Sequence, residues 1–154
     1  MNDNMYSPPE SEINGSADRR VSPVKAVSVG VVIDIGCTFV FLIVVSILVS
    51  GYMSSQGASQ TEIEKTFTDL SWNSGLGLFM TVSGLCFSAL GGFVCARIAR
   101  HNEVVLGAAV GAVSSSIGVL LGNQTYSTVE SVVLTVLTCA AALAGAVIFV
   151  TTKR

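Results

Sequence analysis

The chain has 154 residues, of which 51% are hydrophobic and 12% are charged, and its net charge at pH 7 is −2. The length is typical of one domain, and the charged fraction is about half that of an ordinary soluble domain. This composition argues against a water-soluble protein and predicts a lipid bilayer as the main surroundings. The small net charge gives no electrostatic basis for binding nucleic acid.

Residues 1–25 are predicted to form a disordered cytoplasmic tail. The segment is mostly polar, contains all three prolines and shows no hydrophobic periodicity. Its composition also suits folding on binding, so an additional hypothesis is that the tail binds a cytoplasmic protein.

Residues 26–151 are predicted to form a membrane domain of four spanning helices. Because a segment in lipid must satisfy its own backbone hydrogen bonds, each long apolar run is expected to be helical. The shortest run has nineteen residues, or roughly 28 Å of helix, which is enough to cross the hydrocarbon core. The predicted fold is an all-α bundle of four transmembrane helices, at 26–51, 73–96, 104–122 and 130–151.

The connection between the first and second spans contains the sequence TEIEKTFTDL. Thr61 and Glu64 match a capping box, and apolar residues recur at helical spacing at Ile63, Phe67 and Leu70. A short helix lying on the outer membrane face is therefore predicted.

The lysines and arginines predict the orientation of the bundle. Seven of the eight lie in the amino-terminal tail, in the connection between the second and third spans, or at the carboxyl terminus. The other connections hold only Lys65. The positive-inside rule then predicts a multi-pass protein of the plasma (inner) membrane with both termini in the cytoplasm.

Small residues form one face of each of the two central spans. In each span they fall within about a quarter of the helix circumference, which allows helix backbones to approach closely. The second and third spans are therefore predicted to pack against each other through these faces, in a hairpin closed by an Arg97–Glu103 ion pair. The predicted helix-packing glycines are Gly77, Gly84, Gly91, Gly92, Gly107, Gly111, Gly118 and Gly122.

Asp34 is the one acidic residue inside an apolar run. An aspartate at mid-bilayer costs about 2.5–3.5 kcal/mol on insertion scales, which makes it a functional candidate. If the span begins at Ala26, Asp34 lies about 12 Å inside it, whereas a span of residues 35–53 puts it at the cytoplasmic boundary. An ion pair with Arg97 or Arg100 at that boundary is favoured over proton coupling or cation binding.

The sequence contains no pattern typical of an enzyme. The four cysteines lie apart in apolar runs, and the lone histidine, His101, has no adjacent metal-ligand partner. The serine run at 114–116 has no neighbouring base and is interpreted as packing or interhelical hydrogen bonding. No catalytic, cofactor-binding or metal-binding residue is predicted.

The central hairpin, GGFVCARIARHNEVVLGAAVG, resembles that of uncharacterised small bacterial four-helix membrane proteins. In that group a GG-x-x-x-A-R segment ends one helix and a G-x-x-x-G segment lies in the next. Here Gly91, Gly92, Ala96 and Arg97 match the first segment, and Gly107 with Gly111 matches the second. The resemblance implies a prokaryotic four-helix membrane protein and supplies no catalytic residue.

The leading hypothesis is a structural or accessory membrane subunit that associates through small-residue helix faces. Its partner would be a second copy of the chain or a larger membrane complex. The alternative is a small proton- or cation-coupled transporter using Asp34, since the chain resembles small multidrug exporters in having four helices and an acid in the first. The long tail and strong charge asymmetry differ from those exporters, as does the aspartate where they carry a glutamate.

Overall fold

The computed structural model describes residues 22–68, 74–99, 102–121 and 128–153. All regular secondary structure in these ranges is helical, which confirms the all-α prediction. The predicted tail up to residue 21 lies outside the described residues, as do Leu70, Arg100, His101 and Gly122. The helices are α1 (Pro23–Ser55), α2 (Gln60–Thr68), α3 (Gly75–Ala99), α4 (Glu103–Leu121) and α5 (Thr128–Thr152).

Four of these helices, α1, α3, α4 and α5, are long and apolar enough to cross a membrane. α1 extends beyond the predicted span at both ends and has 33 residues, or about 50 Å, against a hydrocarbon core of about 30 Å. Pro23 lies in its first turn, where the missing N–H costs no hydrogen bond. α1 is therefore long enough to project from the hydrocarbon core or to tilt within it.

The spanning helices form a bundle with α3 and α4 at its centre. α1 packs against both of them on one side and α5 packs against both on the other, and the described parts of α1 and α5 do not touch. Buried residues of α1, α3 and α4 form the main apolar cluster: Ala26, Val31, Cys95, Ala99 and Val110. Three helices therefore meet along one line inside the bundle.

The short helix α2 confirms that the connection after the first span is helical, but its start differs from the prediction. The backbone N–H and hydroxyl of Ser59 donate to Glu62 Oε2 at 2.8 and 2.9 Å, and the Glu62 N–H lies 3.4 Å from the Ser59 hydroxyl. This is a capping box at Ser59 and Glu62. The prediction of a box at Thr61 and Glu64 is wrong by two residues, because the helix already begins at Gln60.

The beginning of α1 and the end of α5 lie at the same end of the bundle. Lys25, Arg97 and Lys153 mark this end, called the basic end below, whereas α2 lies at the opposite end, called the α2 end. Glu103 at the start of α4 forms an ion pair with Lys153, with 3.3 Å between Glu103 Oε1 and Lys153 Nζ. The shared end agrees with the predicted clustering of charges, and its location in the cytoplasm stays a prediction.

The Lys153 pair replaces the ion pair that was predicted to close the α3–α4 hairpin. The described residues contain no ion pair between Arg97 and Glu103, and Arg97 is exposed. The physical reason is the packing of α4 on α5, in which Gly107 lies against Ala146. That contact turns the first residues of α4 toward the end of α5, where Lys153 also lies 5.8 Å from the Phe149 ring centroid.

Candidate functional site

Three buried polar side chains lie within the spanning part of the described chain. Asp34 and Ser88 are each 4% exposed, and Ser114 is 9% exposed. They come from α1, α3 and α4, the three helices that share the apolar cluster. Buried polar groups are costly in an apolar interior, so their position and partners determine what they can do.

Asp34 is held by a hydroxyl group and not by a cation. The Ser88 hydroxyl donates to Asp34 Oδ1 at 3.0 Å, which joins α1 to α3. Among the residues that the structure describes, Asp34 has no ion-pair partner. Arg97 is exposed near the end of α3, and Arg100 lies outside the described ranges.

The contact with Ser88 determines the depth of Asp34 in the bundle. Ser88 is 13 residues from Gly75 and 11 residues from Ala99, close to the middle of α3. At 1.5 Å per residue, the carboxylate lies about 17 Å from the basic end of α3. Asp34 therefore lies inside the bundle and not at its end, because α1 begins before Ala26 and its early turns pack beside the second half of α3. Its position relative to the membrane boundary stays a prediction.

On the basic-end side of Asp34, the backbones of α1 and α3 are in direct contact. A Cβ atom on Gly30 would lie 2.8 Å from the Gly91 carbonyl oxygen, and one on Gly91 would lie 2.8 Å from the Gly30 carbonyl oxygen. The position on Gly91 is also 3.0 Å from the Asp34 Cβ and 3.5 Å from Val110 Cγ1. Only glycine fits at both positions, and the contact leaves no room for water between these turns.

The way α1 and α4 pack side by side places Ser114 at about the same level of the bundle as Asp34. The two helices run in the same direction, and a Cβ atom on Gly30 would lie 2.9 Å from Val110 Cγ2. Asp34 is one turn beyond Gly30, and Ser114 is one turn beyond Val110, so the two side chains lie within about one turn of each other. The buried Oγ atoms of Ser114 and Ser115 have no hydrogen-bond partner among the described residues.

Some of the predicted helix-packing glycines lie against a neighbouring helix, and others do not. Gly92 contacts the Ala142 carbonyl, a Cβ on Gly107 would lie 2.6 Å from Ala146 Cβ, and one on Gly111 would lie 2.7 Å from Cys139 Cα. The faces of α3 and α4 therefore meet α5 more closely than they meet each other, which differs from the predicted face-to-face hairpin. α5 fits there because its own small residues, such as Gly145, face α3.

The remaining predicted glycines make fewer contacts. Among the described residues, no atom would lie within 4 Å of a Cβ on Gly84 or Gly118, and Gly77 is buried near the start of α3. Gly122 lies outside the described residues. Sequence reasoning missed Gly30, although its spacing of four residues from Asp34 places both on one face of α1.

The core of the bundle is concentrated between Asp34 and the basic end. The half of the bundle that begins about one turn beyond Asp34, toward the α2 end, has few buried residues. In the described parts of its spanning helices these are Val45 and Gly77. Phe41 contacts Phe79 and Phe87 there, with ring centroids 5.6 and 5.4 Å apart. The polar residues therefore lie where the close packing ends, with a looser half of the bundle on their α2 side.

An open cleft of about 720 Å³ lies at the α2 end, between the end of α1, α2 and the start of α3. Its charged lining residues are Glu62 and Lys65, whose opposite charges give no net attraction for an ion. The described residues contain no group of three or more metal-ligating side chains. The buried polar residues are therefore the stronger candidate site.

Comparisons with protein-family models, curated proteins and solved structures find no match to this chain. The resemblance of its hairpin to small bacterial membrane proteins stays a prediction.

Proposed function

We propose that this chain is a membrane transport protein in which Asp34 exchanges a proton or a monovalent cation. The observation that carries the proposal is the burial of Asp34 near mid-span against the Ser88 hydroxyl. A permanent ion pair would hold the carboxylate ionised, whereas a hydroxyl can donate to the ionised form and accept from the protonated one. Asp34 can therefore change its charge state without losing its partner.

Coupling follows from the cost of an uncompensated charge. An ionised aspartate at the centre of a spanning helix is disfavoured by about 2.5–3.5 kcal/mol on insertion scales, so an aspartate there that releases one cation tends to take up another. Exchange across the membrane then requires the site to open alternately toward the two sides. The close packing on the basic-end side and the looser packing on the α2 side support an arrangement open toward the α2 end.

Proton flux in proteoliposomes tests the proposal. Purified full-length protein would be reconstituted with an internal pH dye, and a potassium diffusion potential would drive proton entry. We expect flux from the native protein and none above the liposome background from Asp34→Asn, which preserves size and can still bond to Ser88. Ser116→Ala is the matched control, because the exposed Ser116 hydroxyl only donates to the Ala112 carbonyl of its own helix. Equal flux from Asp34→Asn and the native protein would refute an exchange role for Asp34.

A second candidate function is the accessory membrane subunit predicted from the small-residue faces. Gly36 and Gly118 are exposed on α1 and α4, and no atom of the described chain lies within 4 Å of their Cβ positions, so another helix could approach closely there. Mild-detergent extraction of tagged protein, followed by mass spectrometry, tests this candidate. Stoichiometric recovery of other membrane subunits supports it, whereas a protein that elutes alone as a monomer contradicts it.

A further inference from the structure

We infer that Asp34, Ser88 and Ser114 form a binding site for one small monovalent cation of the size of Na⁺. The inference rests on the proposed transport function and names the class of ion that the site would take. Its basis is the Ser88–Asp34 hydrogen bond and the helix register that places the buried Ser114 hydroxyl at the same level of the bundle.

The unpartnered hydroxyl of Ser114 points to a ligand that is not part of the chain. Ser114 is nine-tenths buried, and its Oγ has no hydrogen-bond partner among the described residues. Native proteins rarely leave such a group unsatisfied, and an ion or a water molecule is the usual partner. A serine hydroxyl can donate to a carbonyl of its own helix, as Ser116 does to the Ala112 carbonyl. The Ser114 hydroxyl makes no such bond to the described residues.

The donor atoms favour a hard cation. Carboxylate and hydroxyl oxygens suit alkali and alkaline-earth ions, whereas transition metals favour the nitrogen and sulfur of His and Cys. Cys95, the cysteine of the apolar cluster, lies one turn closer to the basic end, beside Gly30. The side-chain oxygens of Asp34, Ser88 and Ser114 lie on the other side of that contact, toward the α2 end.

The charge of the site determines the valence of its ion. Asp34 is the one acidic side chain among the described residues in the interior of the spanning helices, and these residues contain no cluster of acidic groups. In an apolar interior the bound complex must be close to neutral, because an excess charge is strongly disfavoured. One carboxylate therefore neutralises one positive charge, which excludes a divalent ion as the preferred occupant.

The packing of the bundle gives the ion an entry direction. Toward the basic end, the Gly30–Gly91 contact and the Val110 side chain close the site. Toward the α2 end, close packing stops within about one turn of Ser114, so an ion could reach Asp34 past the Ser114 hydroxyl, which has no partner among the described residues. This packing favours exchange of the ion on the α2 side.

Equilibrium binding of ²²Na⁺ to purified full-length protein in nanodiscs, with choline as the background cation, tests the inference. We expect saturable binding of one ion per chain. Asp34→Asn should abolish it, and Ser114→Ala should weaken it about tenfold or more, as expected for the loss of an oxygen that contacts a charge. Ser116→Ala should bind as the native protein does. Elution volume and helical circular dichroism would establish that each variant is folded.

Two results would overturn the inference: no saturable Na⁺ binding by the native protein, or binding that Asp34→Asn and Ser114→Ala leave unchanged. The proton-flux assay separates this failure from failure of the proposed function. Asp34-dependent proton flux without Na⁺ binding would contradict the cation site and leave exchange at Asp34 in place. Absence of both Na⁺ binding and Asp34-dependent flux would contradict both proposals.

Discussion

Asp34 and Ser88 form a hydrogen bond that has both a structural and a chemical role. The bond joins α1 to α3 near the middle of the bundle, where both side chains are buried. Thr38 adds a local bond to the Asp34 carbonyl oxygen at 2.8 Å, which belongs to α1 alone. The Ser88 hydroxyl is therefore the described side chain on which the buried carboxyl depends.

Removing that hydroxyl should destabilise the protein. We expect Ser88→Ala to lower the free energy of unfolding by about 1–2 kcal/mol, because it leaves the Asp34 carboxyl buried without its partner. Ser116→Ala should change it by less than about 0.5 kcal/mol, since that hydroxyl is exposed. Denaturant-induced unfolding in mixed micelles measures both variants, and equal stability of the two would show that the interhelical bond contributes nothing.

At the scale of helices, glycine has different effects at different positions of the same element. In α3, Gly92 contacts the backbone of Ala142 in α5, whereas Gly84 has open space at its Cβ position. On the α5 side, a Cβ on Gly145 would contact the Ala89 carbonyl. α3 and α5 thus approach closely at one level, and a methyl group there has no flexible side chain to displace.

Gly92→Ala and Gly84→Ala form a matched pair that tests this packing. We expect Gly92→Ala to destabilise the bundle by about 1–3 kcal/mol, because the helices must separate to admit a Cβ atom. Gly84→Ala should be neutral or slightly stabilising, since alanine favours a helix and meets no neighbour. The same unfolding assay applies, and a tolerated Gly92→Ala would contradict the close contact between α3 and α5.

The capping box of α2 has a pH dependence with a defined sign. Hydrogen bonds from the backbone N–H and hydroxyl of Ser59 lower the pKa of Glu62 below its ordinary value of 4.5. A carboxyl with a lowered pKa in the folded state stabilises the helix above pH 4.5 and loses that contribution as the pH falls through its folded value. α2 should therefore begin to fray in acid at its amino-terminal end.

NMR titration of the Glu62 carboxyl carbon measures the effect of the cap. In the native protein the midpoint should lie below 4.5, and in Ser59→Ala it should rise, because one donor to the carboxylate is lost. Thr68→Ala is a suitable control, since the Thr68 hydroxyl bonds only to carbonyls at the other end of α2. An unchanged midpoint in Ser59→Ala would show that the hydroxyl does not hold the carboxylate.

For the whole molecule, the shared end of the helices makes orientation a single choice. Ser22 precedes α1 at the basic end, and Lys153 follows α5 at the same end, where it pairs with Glu103. Gln60 begins α2 at the opposite end. Because both ends of the described chain lie on one side, the charge asymmetry only has to decide which side of the membrane that is.

Labelling of introduced cysteines in intact cells tests the predicted orientation. A membrane-impermeant maleimide should label Gln60→Cys from outside and should label Ser22→Cys only after the membrane is permeabilised. The native protein, with its four cysteines inside the spanning helices, provides the background signal. Labelling of Ser22→Cys in intact cells would reverse the predicted topology.

The sequence alone was sufficient to predict the number of spanning helices, because in lipid every long apolar run must satisfy its own backbone hydrogen bonds. It also predicted the faces of small residues on α3 and α4. Asp34 could be selected as a candidate because a single acidic residue in an apolar run is recognisable without knowledge of tertiary contacts. The existence of α2 followed from local spacing, although its start was misplaced by two residues.

Only the tertiary structure decided which residues these features meet. The small faces of α3 and α4 pack on α5 because α5 has its own small residues at the matching level, and helical periodicity contains no information about partners. Likewise, the depth of Asp34 depends on its pairing with Ser88 across 54 residues of sequence. Contacts between distant segments are set by how whole helices fit together, which no short stretch of the chain specifies.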